Sequence, residues 1–163
     1  MAKNEYDALK EAMDKYGEAL VVEIIQQLKD ADKVATGKLA KSIDYELIEA
    51  LDMISVNILA ADYFEVVDGG RRKGAKPPPT EPIVKWAKVR NIERFRDKRG
   101  RFISDKARAF IIARSIGKNG IKPTNVVKKS LRKLKSLQEK LLTDAAVEDL
   151  TKIARGVFIN NKP

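Results

Sequence analysis

The spacing of apolar residues predicts a long amphipathic helix near the start of the chain, over residues 4–31. Seven large side chains recur there at intervals of three or four: Tyr6, Leu9, Met13, Tyr16, Leu20, Ile24 and Leu28. That spacing places them on one stripe of an α-helix. The residues that widen the stripe in the second half of the helix are Ala12, Ala19, Val21, Val22 and Ile25. The helix would be roughly 40 Å long. This length exceeds what the core of one small domain needs, so we expect part of the helix to pack on a neighbouring subunit.

A change to alternating polarity after residue 42 predicts two β-strands. Apolar residues stand at positions 43, 45 and 47 in the first run and at 54, 56 and 58 in the second. Such a period of two is typical of half-buried strands, and residues 49–52 are predicted to form the turn between them. An isolated hairpin is marginal in water, so we expect this one to pack on the long helix or to extend a larger sheet.

The middle of the chain predicts two short helices on either side of a loop. Residues 62–70 are largely apolar and end in two glycines, as expected of a helical turn. Residues 71–82 hold four basic side chains and four prolines. Because proline fixes φ and cannot donate a backbone hydrogen bond, this basic Pro-rich loop should be extended. A short helix over residues 83–90 then carries Trp86, the single tryptophan.

Residues 93–102 predict a charged turn that projects into solvent. Ser104 follows it and should cap a helix that runs to about residue 116. Gly117 and Gly120 are expected to end that helix, because glycine favours the backbone conformation found just beyond helix C-termini.

The last part of the chain predicts two further helices. Residues 126–142 are basic with apolar residues at helical spacing, and the pair at 143–144 offers a cap for a helix over residues 145–158. The prediction is a single domain, residues 1–163, of the α+β class. It comprises a long N-terminal helix, a small antiparallel sheet built around a β-hairpin, and C-terminal helices.

Composition excludes several classes of function. The chain has 163 residues, of which 44% are hydrophobic, and it contains neither cysteine nor histidine. It therefore lacks disulfides, thiolate nucleophiles and the side chains that usually bind zinc or act as a general base. The acidic residues are scattered, and no glycine-rich phosphate loop is present. We expect neither an enzyme nor a cofactor.

No apolar run approaches the roughly 20 residues that a membrane-spanning helix needs. Residues 1–10 carry charges of both signs and lack the apolar core of a signal peptide. The expectation is therefore a protein that stays in the cytoplasm where it is made, without a membrane partner.

Charge is distributed unevenly along the chain. Residues 1–70 carry 7 basic and 15 acidic side chains, residues 71–108 carry 14 and 4, and residues 109–163 carry 12 and 4. A basic surface attracts nucleic acid or acidic protein. An acidic region beside basic ones also suits head-to-tail contact between identical copies. A solvated surface that only keeps the protein in solution is the third interpretation.

Candidate contact residues lie around the two glycines at 69–70. The aromatic ones could anchor an interface or could belong to the core. The basic side chains of the loop, which include Lys73 and Lys76, could face the acidic flank of the next subunit, the interpretation we favour, or DNA phosphate, or solvent. The nearby acids are their natural counterparts. The candidate interface residues are Tyr63, Phe64, Glu65, Asp68, Arg71, Arg72 and Trp86.

The charged turn holds a second basic cluster, around Gly100 and between Phe95 and Phe102. Basic and aromatic side chains in alternation are typical of nucleic-acid contacts. The hypothesis is weak, salt-sensitive contact with DNA that is independent of sequence. The candidate DNA-facing residues are Arg94, Arg96, Lys98, Arg99 and Arg101.

Four short motifs occur in a recognisable order. Residues 36–43 read T-G-K-L-A-K-S-I, and residues 61–70 read A-D-Y-F-E-V-V-D-G-G. R-R, P-P and I-V-K-W follow between residues 71 and 86, and I-I-A-R-S-I and G-I-K-P lie within residues 111–123. In content and order they resemble the neck or tail-completion family of long-tailed bacteriophages. The resemblance covers residues 36–130, and the charged segment at 94–101 is an insertion within it.

The resemblance implies a non-enzymatic virion protein that forms a ring at the head–tail joint, as a neck, tail-completion or tail-terminator component, around a passage for DNA. Six copies would match the tail and are favoured, while twelve would match the portal. The implied partners are further copies of the chain, other neck proteins of the head-closure or adaptor type, and the tail tube protein. Assembly would take place in the host cytoplasm.

Two other classes of function remain as alternatives. A stand-alone nucleic-acid-binding protein could use residues 71–108 and 122–135 as its basic face, although no helix-turn-helix, zinc or RNA-binding signature is present. A small phage enzyme would need a catalytic constellation, which these residues do not provide.

Overall fold

The computed structural model describes residues 6–50 and 53–160, which form seven helices and one two-stranded antiparallel sheet. This arrangement confirms the α+β class, the long N-terminal helix, the β-hairpin and the C-terminal helices. Residues 4 and 5 of the predicted first helix lie outside the described residues. In chain order the elements are α1 (Asp7–Asp30), α2 (Lys38–Ser42), β1 (Asp44–Ala50), β2 (Met53–Leu59), α3 (Phe64–Gly69), α4 (Thr80–Val89), α5 (Asp105–Asn119), α6 (Val126–Lys133) and α7 (Lys135–Asn160).

The chain divides into two compact units. Unit 1 comprises Met1–Gln27, Ser42–Ala60 and Val126–Pro163, and unit 2 comprises Leu28–Lys41 and Ala61–Asn125. Unit 2 carries 21 basic and 9 acidic residues, a net charge of +12, whereas unit 1 carries 12 and 14, a net of −2. Positive charge is thus concentrated in unit 2. The single domain over residues 1–163 stays a prediction.

The buried face of α1 differs from the prediction in its first half. Tyr6 is exposed, and Leu9 and Met13 are only half-buried. Ala12, which was predicted to widen the stripe, is buried together with Ala8. Both cluster with Ala145 of α7, because small side chains let the two helices approach closely. Val22, predicted to widen the stripe, is 68% exposed. The buried positions of α1 with apolar side chains are Ala8, Ala12, Tyr16, Leu20, Ile24 and Leu28.

The hairpin packs on α1, as predicted. Tyr45 of β1 lies opposite Ile58 of β2, and its ring covers Gly17 of α1 so closely that a Cβ atom there would come within 2.5 Å of Tyr45 Cε2. The Tyr45 hydroxyl donates a hydrogen bond to Asp14 Oδ1 at 2.8 Å. Glycine is therefore required at position 17 for packing rather than for backbone freedom.

Part of the predicted turn at residues 49–52 belongs to strand β1. Glu49 and Ala50 belong to β1 and pair with Ile54 and Met53, while residues 51 and 52 lie outside the described residues. Glu49 also forms an ion pair with Lys10 of α1. The end of β1 is thereby tied to the long helix.

The C-terminal helices break at a different place from the predicted one. The break lies at Leu134, between α6 and α7, and not at residues 143–144. Its backbone is still bonded on both sides, since Leu134 N–H donates to Ser130 O and Gln138 N–H donates to Leu134 O, each at 2.9 Å. Thr143 and Asp144 lie inside α7, where the helix leaves no free backbone N–H group for a cap to accept.

In unit 2, α4 and α5 pack on one another. Ile83 of α4 is buried with Ala109 and Ala113 of α5, and the half-buried residues around them are Val84, Ile112 and Ile116. The Pro-rich loop ends at Pro79, because α4 begins at Thr80. Pro82 was predicted to lie in the loop, but it occupies the first turn of α4, where a missing N–H costs no hydrogen bond.

The boundaries of α5 partly follow the prediction. The Ser104 side chain accepts a hydrogen bond from Ala107 N–H at 3.2 Å, which confirms the cap. The helix runs past residue 116 to Asn119, and Gly120 ends it with φ 73°. Gly117, predicted to end the helix, is buried inside it. A Cβ atom there would lie 3.0 Å from the Ala75 carbonyl oxygen. The absence of a side chain at Gly117 therefore lets the Pro-rich loop pack against α5.

Candidate functional site

The candidate interface residues lie just before α3, on α3, on the loop after it and on α4, all in unit 2. Tyr63 precedes α3 and is 49% exposed, and Trp86 of α4 is 42% exposed. Neither belongs to the buried core, so the interpretation of these two side chains as core residues is wrong. Phe64 is half-buried and Glu65 is exposed. Contact of these residues with another subunit stays a prediction.

Two glycine-containing segments 50 residues apart meet at the end of α3. Arg71 N–H donates to Ile121 O at 2.9 Å, and Ile121 N–H donates to Arg71 O at 2.8 Å. Gly70 has φ 75°, and a Cβ atom on it would come within 2.5 Å of Ile121 O. A Cβ atom on Gly120 would likewise meet the Arg71 carbonyl oxygen. Both glycines are therefore required for the close approach of the two backbones.

The same junction continues through Asp68. Its backbone carbonyl accepts the N–H groups of Thr124 and Asn125 at 3.0 and 3.1 Å. The Thr124 hydroxyl donates to Val67 O at 2.7 Å. The C-terminal turn of α3 is thus capped by the segment after α5. Hydrogen bonds thereby join α3, the start of the Pro-rich loop and residues 120–125. We call these joined segments the glycine junction.

The two arginines at the start of the loop have different surroundings. The Arg71 guanidinium donates to the carbonyl oxygen of Lys76, so Arg71 organises its own loop. Its Nε is buried without a hydrogen-bond partner among the described residues. Arg72 is exposed. Of the two, Arg72 is the one whose charge is available to a partner.

An open groove of about 520 Å³ lies between the Pro-rich loop and the outer face of α5. Phe110 is 60% exposed beside it, and Arg114 and Glu81 supply charges of opposite sign at its edges. The groove brings together two segments that carry motifs of the resemblance. Its walls are formed by Pro77, Pro78, Pro79, Thr80, Glu81, Phe110, Ala113 and Arg114.

The charged turn is folded as a short β-ribbon over residues 94–103, here called the basic ribbon. Arg96 and Phe102 form an antiparallel bridge, and Ile103 N–H donates to Phe95 O at 3.0 Å. At the tip, Asp97 N–H donates to Arg101 O at 2.8 Å. All five of its basic residues are exposed, as predicted for a turn that projects into solvent.

Asp97 organises the tip of the basic ribbon. Its carboxylate accepts the backbone N–H groups of Arg99 at 2.8 Å and Arg101 at 2.9 Å, and the Arg101 Nε at 3.0 Å. The hydrogen bond from the Arg101 backbone is the main reason why the pKa of Asp97 is lowered. The ribbon thus depends on one acid among its basic residues, a role that the sequence analysis missed.

The basic side chains of the ribbon fall into two groups. Arg96 lies over the Phe102 ring at 4.0 Å from its centroid and donates to Gly100 O at 2.7 Å. Arg101 pairs with Asp97, and Arg94 approaches Asp105 at 4.0 Å. Lys98 and the Arg99 guanidinium form no ion pair within the described part of the chain. These two charges at the tip are the ones available to an external phosphate.

Arg108 of α5 supports the base of the ribbon from inside. It is 4% exposed, its guanidinium donates to Ile92 O at 2.5 Å, and it contacts Asp105 Oδ1 at 3.2 Å. Asp105 in turn pairs with Lys88 at 3.6 Å. This buried charge therefore has acceptors on both sides and positions the segment that precedes the ribbon.

Other kinds of site find no support in the residues described. Over 6–50 and 53–160, no three acidic side chains come together in a way that could hold a metal ion. None of the helices in those ranges is long and apolar enough to cross a membrane. The chain matches no protein-family model, no curated protein and no solved structure.

Proposed function

We propose that the chain is a structural virion protein of a long-tailed phage that forms a ring at the head–tail joint, as a neck, tail-completion or tail-terminator component. The observation that carries the proposal is the glycine junction. The motifs that resemble this family are distant in sequence, yet Gly70, Arg71 and Gly120 contact one another across the junction. Motifs that descend from one ancestral fold are expected to pack against one another in this way.

The distribution of charge supports assembly from identical copies. Residues 1–70 carry 7 basic and 15 acidic side chains and residues 71–108 carry 14 and 4, and complementary charge favours head-to-tail contact between identical copies. Tyr63 and Trp86 supply exposed aromatic area of the kind that dominates protein interfaces. Six copies are favoured and twelve are the alternative. The neighbours in the virion would be head-closure or adaptor proteins and the tail tube protein.

The proposal is tested by the mass of the assembled protein and by its presence in particles. Purified chain is examined by light scattering and negative-stain microscopy, and intact virions of the phage that encodes it by mass spectrometry. We expect rings of six or twelve copies and a matching signal in virions. Trp86→Ala should weaken ring formation, whereas Leu131→Ala, at a similarly exposed apolar position on α6, should not. A compact single copy that is absent from virions would contradict the proposal.

A second candidate function is favoured by the basic ribbon. Lys98 and Arg99 at its tip leave two charges for DNA phosphate, either in the channel of a ring or in a stand-alone nucleic-acid-binding protein. Within a ring, DNA contact must be weak enough to let DNA pass. The two functions therefore differ in the strength and salt dependence of binding.

A mobility-shift titration with duplex DNA over a range of salt concentrations distinguishes them. For the ring, we expect a shift at low salt that disappears near physiological salt; tight binding by a single copy supports the alternative. The double variant Lys98→Gln, Arg99→Gln should lower the slope of log affinity against log salt by about 2, because each phosphate contact contributes about 0.9. Lys29→Gln, Lys33→Gln, at two exposed lysines outside both basic segments, is the charge-matched control. If the wild-type protein causes no shift at any of the salt concentrations, DNA contact is excluded.

A further inference from the structure

The outer face of α7 is apolar although nothing in the described chain covers it. Val147 is 60% exposed and Leu150 is 65% exposed. With Thr143 and Ala154, which are also exposed, they recur at intervals of four, three and four residues. This is the heptad spacing of a seam between two helices. We call these four positions the α7 stripe.

The inner face of α7 is already occupied. Ala145 is buried against Ala8 and Ala12 of α1, and the Asp149 carboxylate accepts backbone N–H groups at the start of that helix. A helix that is apolar on both faces is normally covered on both faces. The α7 stripe is therefore a surface without a partner among the described residues, on a helix whose opposite face packs on the start of α1.

The exposed charges beside the stripe indicate what kind of partner it binds. Asp144 follows Thr143 and Arg155 follows Ala154, so each stands one position after a stripe residue and both lie on the same flank. Both side chains are exposed, and neither forms an ion pair within the described residues. The flank thus carries an acid near one end of the stripe and a base near the other.

We propose that the α7 stripe binds the α7 stripe of a second copy of this chain, in antiparallel orientation about a two-fold axis. The axis passes between Val147 and Leu150, so that Val147 of each copy meets Leu150 of the other, and Thr143 meets Ala154. In such a pair the same flanks of the two helices face one another. Asp144 of each copy then lies two residues, about 3 Å along the axis, from the position opposite Arg155 of the other, which the long arginine side chain can span. Both charge pairs are complementary.

This interface is separate from the head-to-tail contacts of the proposed ring, since a two-fold contact pairs copies and does not close a ring. It would join free subunits in pairs, or link one assembled ring to another. The inference does not depend on the phage function, because it rests only on the stripe and its flanking charges.

The inference is tested by sedimentation of the full chain over a range of concentrations. Leu150→Glu should raise the dissociation constant of the pair at least about tenfold, because a charge would be buried in the seam. Val22→Glu, at an equally exposed apolar position on α1, should leave it unchanged. Circular dichroism and thermal melting check that the variants fold; both sites are exposed, so we expect native folding.

Charge reversal tests the orientation. Asp144→Arg alone and Arg155→Asp alone each place like charges opposite one another and should weaken pairing. The double variant should pair again, and so should an equimolar mixture of the two single variants, because a mixed antiparallel pair has both contacts complementary. A parallel pair would place these two flanks on opposite sides of the seam, so it predicts no loss of pairing in the single variants.

Two results would overturn the inference. One is a wild-type chain that shows no pairing at any concentration, and the other is association that Leu150→Glu and the charge reversals leave unchanged. In the second case larger rings could still form, so the proposed function would survive. Conversely, pairing through α7 without rings or presence in virions would support the inference while contradicting the proposed function.

Discussion

Asp149 caps a helix that begins 142 residues earlier, at Asp7, by accepting the backbone N–H of Leu9 at 2.9 Å and that of Ala8 at 3.1 Å. These are the second and third residues of α1, the positions whose N–H groups a capping side chain normally satisfies. Asp149 is 3% exposed, so a carboxylate from α7 replaces the local cap that the sequence before α1 would otherwise supply. Its negative charge also suits the positive end of the helix dipole.

Replacement of Asp149 by alanine should lower the free energy of unfolding by about 1–2 kcal/mol, because two buried N–H groups lose their acceptor. For a chain of this size, each 1 kcal/mol lowers Tm by roughly 2–4 °C. Chemical denaturation and thermal melting measure the change. Glu148→Ala is the control, since it removes only a surface ion pair with Lys152. Equal effects of the two substitutions would contradict the capping role.

The glycine junction predicts different costs for two glycines with the same backbone strain. Gly70 and Gly74 have φ 75° and 76°, so alanine at either should cost about 1 kcal/mol from backbone strain. Only Gly70 would in addition direct a methyl group against Ile121 O and Pro123 N. We expect Gly70→Ala to be clearly more destabilising than Gly74→Ala in denaturant unfolding. A difference near zero would show that the two backbones can move apart.

Tyr45 predicts a loss of stability in alkali. Its hydrogen bond to Asp14, with desolvation and nearby negative charge, raises the pKa of Tyr45 to about 12. An unfolded tyrosine titrates near pH 10, so the unfolded chain releases this proton first. The stabilisation is fully present below about pH 10 and is lost as the pH rises towards 12. Tyr45→Phe removes this contribution.

The measurement is the difference in unfolding free energy between the wild-type protein and Tyr45→Phe from pH 8 to 12. Lysines also titrate in this range, but they do so in both proteins and cancel in the difference. We expect the advantage of the wild type to decrease above pH 10. A constant difference over the whole range would contradict the raised pKa.

Two buried hydroxyl groups can be removed, we predict, without loss of stability. Tyr16 Oη and Ser130 Oγ are buried and have no hydrogen-bond partner among the described residues. Burial also raises the pKa of Tyr16, because it disfavours the charged form. Tyr16→Phe and Ser130→Ala remove the unpaired group, so stability should stay the same or increase by up to about 1 kcal/mol. Tyr45→Phe, which removes a formed hydrogen bond, is the contrasting case. Destabilisation by Tyr16→Phe would reveal a partner such as bound water.

Local sequence patterns predicted most of the fold. The repeat of apolar residues defined α1, the alternation at 43–47 and 54–58 defined the hairpin, and Ser104 marked the start of α5. These signals succeed because helix and strand periods and helix caps depend on neighbours a few residues apart. The charged turn at 93–102 was predicted for the same reason, with its basic residues exposed.

Only the tertiary structure decided which of several suitable faces is buried and which distant groups meet. Ala8 joined Ala12 in the core where α7 packs on α1, and Gly117 stayed inside α5 because the Pro-rich loop crosses it. The cap from Asp149 and the glycine junction join segments 140 and 50 residues apart, which no local pattern encodes. The free energy of such contacts depends on how closely two backbones can approach, a quantity set by the packing of all their neighbours together.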